Sequence, residues 1–109
     1  MKADRKKTDD IVQIKLTPPQ RDCCGEIQNA AVYAEGRVIW EGQVGDIAEI
    51  CFEKPTAVEI KYHACAAYFG GDCIGIIDPS KGRNYCVYAR QGFLKTVMEL
   101  QRTNYIDTD

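Results

Sequence analysis

The sequence predicts an all-β fold, an antiparallel two-sheet sandwich of seven or eight strands with Ig-like or related topology. Between Ala30 and Asp78 short alternating apolar runs are separated by Glu35-Gly36, Gly42-Gln43-Val44-Gly45, Lys54-Pro55-Thr56 and Gly70-Gly71, a spacing of turn signals that describes consecutive antiparallel strands. A chain of 109 residues holds one core and is too short for two, so residues 11–109 are expected to form one domain behind a charged, disordered tail, residues 1–10. At 45% hydrophobic and 28% charged residues the composition is that of a globular protein.

The first strand is Ile11 to Thr17, with Val12, Ile14 and Leu16 on one face and Gln13 and Lys15 on the other. Pro18-Pro19 ends it, because neither residue can donate to a ladder, and Gln20 to Gln28 forms a long connection. Asn29 to Ala34 and Arg37 to Glu41 follow as a hairpin. Its two-residue Glu35-Gly36 loop suits a type I′ turn, which opposes Ala34 with Arg37, Val32 with Ile39 and Ala31 with Trp40. Asp46 to Glu53 alternates Ala48, Ile50 and Phe52 against Glu49, Cys51 and Glu53, which places Cys51 on an acidic face.

Ala57 to Ala64 sets Val58, Ile60 and Tyr62 inside and Glu59, Lys61 and His63 outside, so His63 reads as a solvated strand histidine. It closes a hairpin onto Asp72 to Asp78. A turn centred on Gly70-Gly71 opposes Tyr68 with Cys73, whereas a loop at Tyr68 to Gly70 opposes Cys65 with Cys73 and permits a cross-strand disulfide. Asp78-Pro79-Ser80-Lys81-Gly82 is a strong turn into Arg83 to Ala89, where Tyr85 and Val87 share one face and Cys86 and Tyr88 the other. For Phe93 to Ile106 a long last strand is favoured, with Leu94, Thr96, Met98 and Leu100 on one parity. A helix at the sandwich end is the alternative, since Leu94, Val97, Met98 and Gln101 also fit a 3.6 period.

Three stretches resemble the PEGA-type domains and related small bacterial β-sandwich modules: Glu35-Gly36-Arg37-Val38-Ile39-Trp40, Glu53 to Ile60 around Lys54-Pro55-Thr56-Ala57, and Lys81-Gly82-Arg83-Asn84-Tyr85-Cys86-Val87. The similarity spans residues 30–90 and consists of turn-and-strand signatures; Lys54-Pro55-Thr56-Ala57 stands where the family's Pro-Glu-Gly-Ala turn would be. The resemblance implies a noncatalytic accessory or surface-associated interaction module, with no catalytic residues to carry over.

Charge and motifs narrow the function classes. A net charge of −2 offers no basic surface for nucleic acid or anionic lipid, and no run approaches the roughly 20 apolar residues of a membrane helix. No apolar segment follows the basic cluster Lys2, Arg5, Lys6 and Lys7, so the chain reads as cytoplasmic as written, and as surface or periplasmic if Met1 stands downstream of a removed signal or anchor. There is no G-x-S-x-G elbow, no phosphate-cradling glycine loop and no H-E-x-x-H, and pairs such as Asp72 with Asp78 or Glu49 with Glu53 are ordinary on exposed sheet faces. No catalytic residue is assigned and no cofactor is implied.

Two site hypotheses remain. The favoured one is contact with a protein or small ligand: of the aromatic residues Trp40, Tyr33, Tyr62, Tyr68, Phe69, Tyr85 and Tyr88, strand parity sends Trp40, Tyr62 and Tyr85 inward and leaves Tyr68, Phe69 and Tyr88 as the exposed binding candidates. An unpaired edge strand adds a route to a homodimer. The competing class is thiol-dependent redox or metal chemistry at the vicinal Cys23-Cys24 pair, beside Arg21 and Gly25, where a cation favours the thiolate. The remaining thiols, Cys51, Cys65, Cys73 and Cys86, lack metal-knuckle spacing and read as small hydrophobes in a reducing compartment.

Overall fold

The computed structural model describes residues 11–18, 27–64, 70–91 and 96–104. Within them lie eight strands: β1 (Ile11–Leu16), β2 (Ile27–Ala34), β3 (Arg37–Gln43), β4 (Ile47–Cys51), β5 (Thr56–Ala64), β6 (Gly71–Ile77), β7 (Asn84–Gln91) and β8 (Thr96–Arg102). They form two four-stranded sheets, β4-β1-β7-β8 and β3-β2-β5-β6, packed as a sandwich. The strand reading of the last segment therefore holds over Thr96–Arg102, and no described residue is helical.

Period-2 alternation places the core. Val12, Ile14 and Leu16 of β1 are fully buried between the sheets and meet Val32 of β2, Val58, Ile60 and Tyr62 of β5, and Tyr85 and Val87 of β7. Trp40 packs against this cluster while half-buried. β1 is the organising strand of its sheet, running antiparallel to β4 and parallel to β7. The turn after β3 carries the chain to the other sheet and is pinned to the end of β1: Gly45 N–H donates to the Leu16 carbonyl at 2.7 Å and Leu16 N–H to the Asp46 carbonyl at 3.0 Å. Gly45 holds φ at +105°, a conformation that favours glycine.

The β2–β3 turn has φ of 54° at Glu35 and 78° at Gly36, positive at both central positions as a type I′ turn requires. The expected register survives for only two pairs, Ala34 with Arg37 and Tyr33 with Val38. A bulge then shifts Val32 onto Trp40 and Ala31 onto Glu41, in place of Ile39 and Trp40. The extra residue lets Trp40 share the inner face with Val32 and sends both Val38 and Ile39 to the exposed side.

Neither register considered for the β5–β6 hairpin is adopted. Tyr62 pairs with Gly71 and Ile60 with Cys73, so the connection is longer than a tight turn, and Cys73 is a free thiol rather than half of a disulfide with Cys65. Inner-face matching decides this: Cys73, Gly75 and Ile77 must face the same side as Ile60 and Val58, and a slip by one residue would invert every side chain of the strand.

The turn after β6 is held from both sides. Asp78 Oδ1 accepts from Ser80 N–H at 3.0 Å and from the Ser80 hydroxyl at 2.7 Å, which holds its carboxyl below the usual range. From the core, the Tyr85 hydroxyl accepts from Asp78 N–H at 3.0 Å and donates to the Asp78 carbonyl at 3.3 Å. Tyr85→Phe leaves that N–H without its acceptor and is expected to cost about 1–2 kcal/mol in urea unfolding, with the fold intact by circular dichroism.

Candidate interaction surface

Strand β6 carries the sequence GDCIGII, apolar on both parities from Cys73 onward. Inward go Cys73, Gly75 and Ile77, the first two small where β8 comes close. A Cβ on Gly75 would meet Leu100 Cδ2 at 2.8 Å, and one on Gly71 would fall on the backbone carbonyl oxygen of Thr96. Outward go Ile74 and Ile76, 78% and 65% exposed, the two most exposed large apolar side chains among the described residues. Space between the sheets at this edge is already filled by Met98 and Leu100 of β8, so the larger side chains are left on the solvent side.

The pairing aligns these isoleucines with apolar groups on neighbouring strands. Val38, Tyr33, Glu59 and Ile74 make one row across the outer face of the sheet, and Ala57 stands opposite Ile76 in the next. Between the rows lies a shallow groove of about 320 Å³ lined by Tyr33, Ala57, Ile74 and Ile76, with Glu35 and Glu59 supplying its charge. Lys61 Nζ sits 5.2 Å from the Tyr33 ring centroid and holds the ring against the sheet. The result is a rigid, strand-borne apolar strip with an acidic margin.

Of the predicted contact aromatics, Tyr88 is exposed at 49% as expected, but it projects from the outer face of the other sheet. There it borders a smaller concavity of about 180 Å³ with Arg90, Val97, Met98 and Glu99. Tyr68 and Phe69 lie outside the described residues, as do Cys23, Cys24 and Cys65. Parity reasoning missed Ile74 and Ile76. The available signal was an apolar run on both faces of one strand, with glycine and cysteine on one parity and isoleucine on the other.

The described thiols are dispersed. Cys51 is exposed on the outer face of β4 beside Glu49, as its place in the alternation requires. Cys86 Sγ lies 3.3 Å from Thr17 Oγ1. Cys73 is inward, and burial, with Asp72, Glu59 and Glu99 adding to it, pushes its thiol up to about 11. Tyr62 donates its hydroxyl to the Thr17 carbonyl at 2.8 Å, and burial likewise raises its phenol. No group of three or more His, Cys, Asp or Glu side chains among the described residues converges as metal ligands would.

The sign of the Cys73 shift gives a test. An acid whose folded-state pKa is raised stabilises the fold fully below its unfolded value, 9.0, and loses that contribution as pH climbs towards about 11. The urea midpoint is therefore expected to fall between about pH 9 and 11, and less steeply in Cys73→Ala. At about pH 8, alkylation of native protein should modify exposed Cys51 well before Cys73.

No helix of the described residues is long and apolar enough to cross a membrane. Comparison of the chain with protein-family models, with curated proteins and with solved structures finds no match to any of them.

Proposed function

We propose that the chain is a noncatalytic interaction or accessory module, a sandwich of Ig-like or related type that works by contact with a protein or small ligand. The observation that carries this is the exposure of Ile74 and Ile76 beside Tyr33 and Ala57 on a regular sheet face. Covering a large aliphatic side chain is worth roughly 1.5–3 kcal/mol, so leaving two adjacent ones in water on a rigid strand is a standing cost that a partner relieves. The resemblance to PEGA-type modules points the same way. The acidic Glu35 and Glu59 favour partners that bring an apolar residue flanked by Lys or Arg, and the chain's net charge of −2 disfavours nucleic acid. Nothing in this role requires membrane insertion or a cofactor, and it suits the cytoplasm as well as a surface or periplasmic setting.

The thiol reading keeps its only vicinal pair in Cys23-Cys24, outside the described residues, and no observation on the described cysteines favours it. The contact reading is tested by amide NMR of the labelled protein titrated with short extended peptides that pair an apolar residue with flanking lysines. Shifts confined to Tyr33, Ala57, Glu59, Ile74 and Ile76, abolished by Ile74→Asp, support it. Shifts centred on Tyr88 and Val97, or none at about 1 mM peptide, overturn it.

A further inference from the structure

We propose that the occupant of the β6 edge is β6 of a second copy of this chain, paired antiparallel about a two-fold axis at Gly75. The proposal goes beyond the contact reading: it concerns the open edge of the sheet, beside the outer face on which that reading rests.

Among the described residues four strands have a sheet neighbour on one side only, namely β3, β4, β6 and β8. Three carry devices that discourage strand addition. β3 has a bulge against β2 and the charges of Arg37 and Glu41; β4 is five residues long with Glu49 at its centre; β8 ends in Glu99, Gln101 and Arg102. β6 has none of these from Cys73 to Ile77: no charge, no proline, and an unbroken register against β5. Its start is closed off by β8, whose Thr96 N–H donates at 3.1 Å to the carbonyl of Gly70 just before the strand, which leaves residues 72–77 as an edge open among the described residues.

Self-pairing in one continuous sheet must match outward residues with outward residues, so only registers with an even residue sum are allowed. An axis at Ile74 sets Asp72 against Ile76 of the second copy, and an axis at Ile76 sets Ile74 against its Asp78. The axis at Gly75 alone opposes Ile74 with Ile76 twice, bringing all four isoleucines side by side in one outer ridge where each covers part of its neighbour, and it puts glycine against glycine where the strands approach. It also sets Asp72 against Asp78 of the second copy at either end, a like-charge pair that Lys81 and Arg102, lining one cleft with that Asp78, offset. Six residues make a strip of about 20 Å. A contact of that length falls short of the roughly 800 Å² per partner of stable complexes, so the dimer is reversible, dissociating on the order of 10–100 μM.

The test is sedimentation equilibrium from about 5 μM to about 1 mM, with isotope-filtered NOEs between labelled and unlabelled copies at the higher concentration. The expected result is a monomer–dimer equilibrium with NOEs joining Ile74 methyls to Ile76 methyls across copies, and weakening of about tenfold or more in Ile74→Lys/Ile76→Lys that keeps its circular dichroism spectrum. A monomer throughout, a dimer whose NOEs lie at Val38 and Ile39 or at Tyr88, or a folded double variant that dimerises normally overturns the proposal. Should the double variant fail to fold, the NOE pattern of the unaltered protein decides alone. A protein that stays monomeric yet gives the peptide-induced shifts loses the dimer while keeping the contact reading, whereas loss of the shifts alone removes the latter.

Discussion

Ile14→Ala is expected to lower the unfolding free energy by about 3–4 kcal/mol, enough to remove a large share of the stability of a domain this size. Ile14 has no accessible surface and sits in the middle of β1, opposite Ala48 of β4 and Tyr85 of β7. Truncation removes three carbon atoms and leaves a cavity that two flanking strands, both bonded to β1, cannot collapse to fill. The cost therefore falls in the upper part of the usual 2–5 kcal/mol for such changes. Urea unfolding should show a lower midpoint with an unchanged slope, since native compactness is not altered. A loss below about 1 kcal/mol would mean that the sheets are not packed on β1. Ile11→Ala on the same strand is the contrast: Ile11 is 36% exposed at the strand start, and its truncation should cost well under half as much.

What was legible in the sequence follows from which physical signals are local. Alternation alone found β1 and β5 with their buried faces, because Val12, Ile14 and Leu16 are separated by Gln13 and Lys15, and Val58, Ile60 and Tyr62 by Glu59 and Lys61. Turn chemistry found the Glu35-Gly36 hairpin, since positive φ at two successive positions is a property of the turn itself. The bulge at Ile39 was not legible, because it answers to the demand of Trp40 for the inner face, a tertiary requirement. The β5–β6 register failed for a related reason: glycines at 70 and 71 suggested a tight turn, whereas Gly71 is needed for the approach of β8. The contact surface was hidden by the same strand. In β6 both parities are apolar, so which one faces water is settled by Leu100 and Met98, residues about 25 positions away in the chain.

That seam between β6 and β8 yields the second large effect. Gly71→Ala is expected to cost about 2–3 kcal/mol and Gly75→Ala clearly less, although both glycines sit in one strand and both face β8. At Gly71 the added methyl meets the Thr96 carbonyl oxygen and carbon, backbone atoms held by the hydrogen bond from Thr96 N–H to Gly70, with Met98 Sδ at 3.1 Å behind them. Relief requires the two strands to part, and parting them breaks that bond. At Gly75 the nearest atom is Leu100 Cδ2 at 2.8 Å, the end of a side chain that can change rotamer on a half-buried strand. Urea midpoints of the two variants measure the difference directly. Hydrogen exchange then locates it: in Gly71→Ala the Thr96 amide should lose protection while Ile14 and Ile60 keep theirs, because the sheets remain packed on β1 and β5 and only the corner that joins their edges opens.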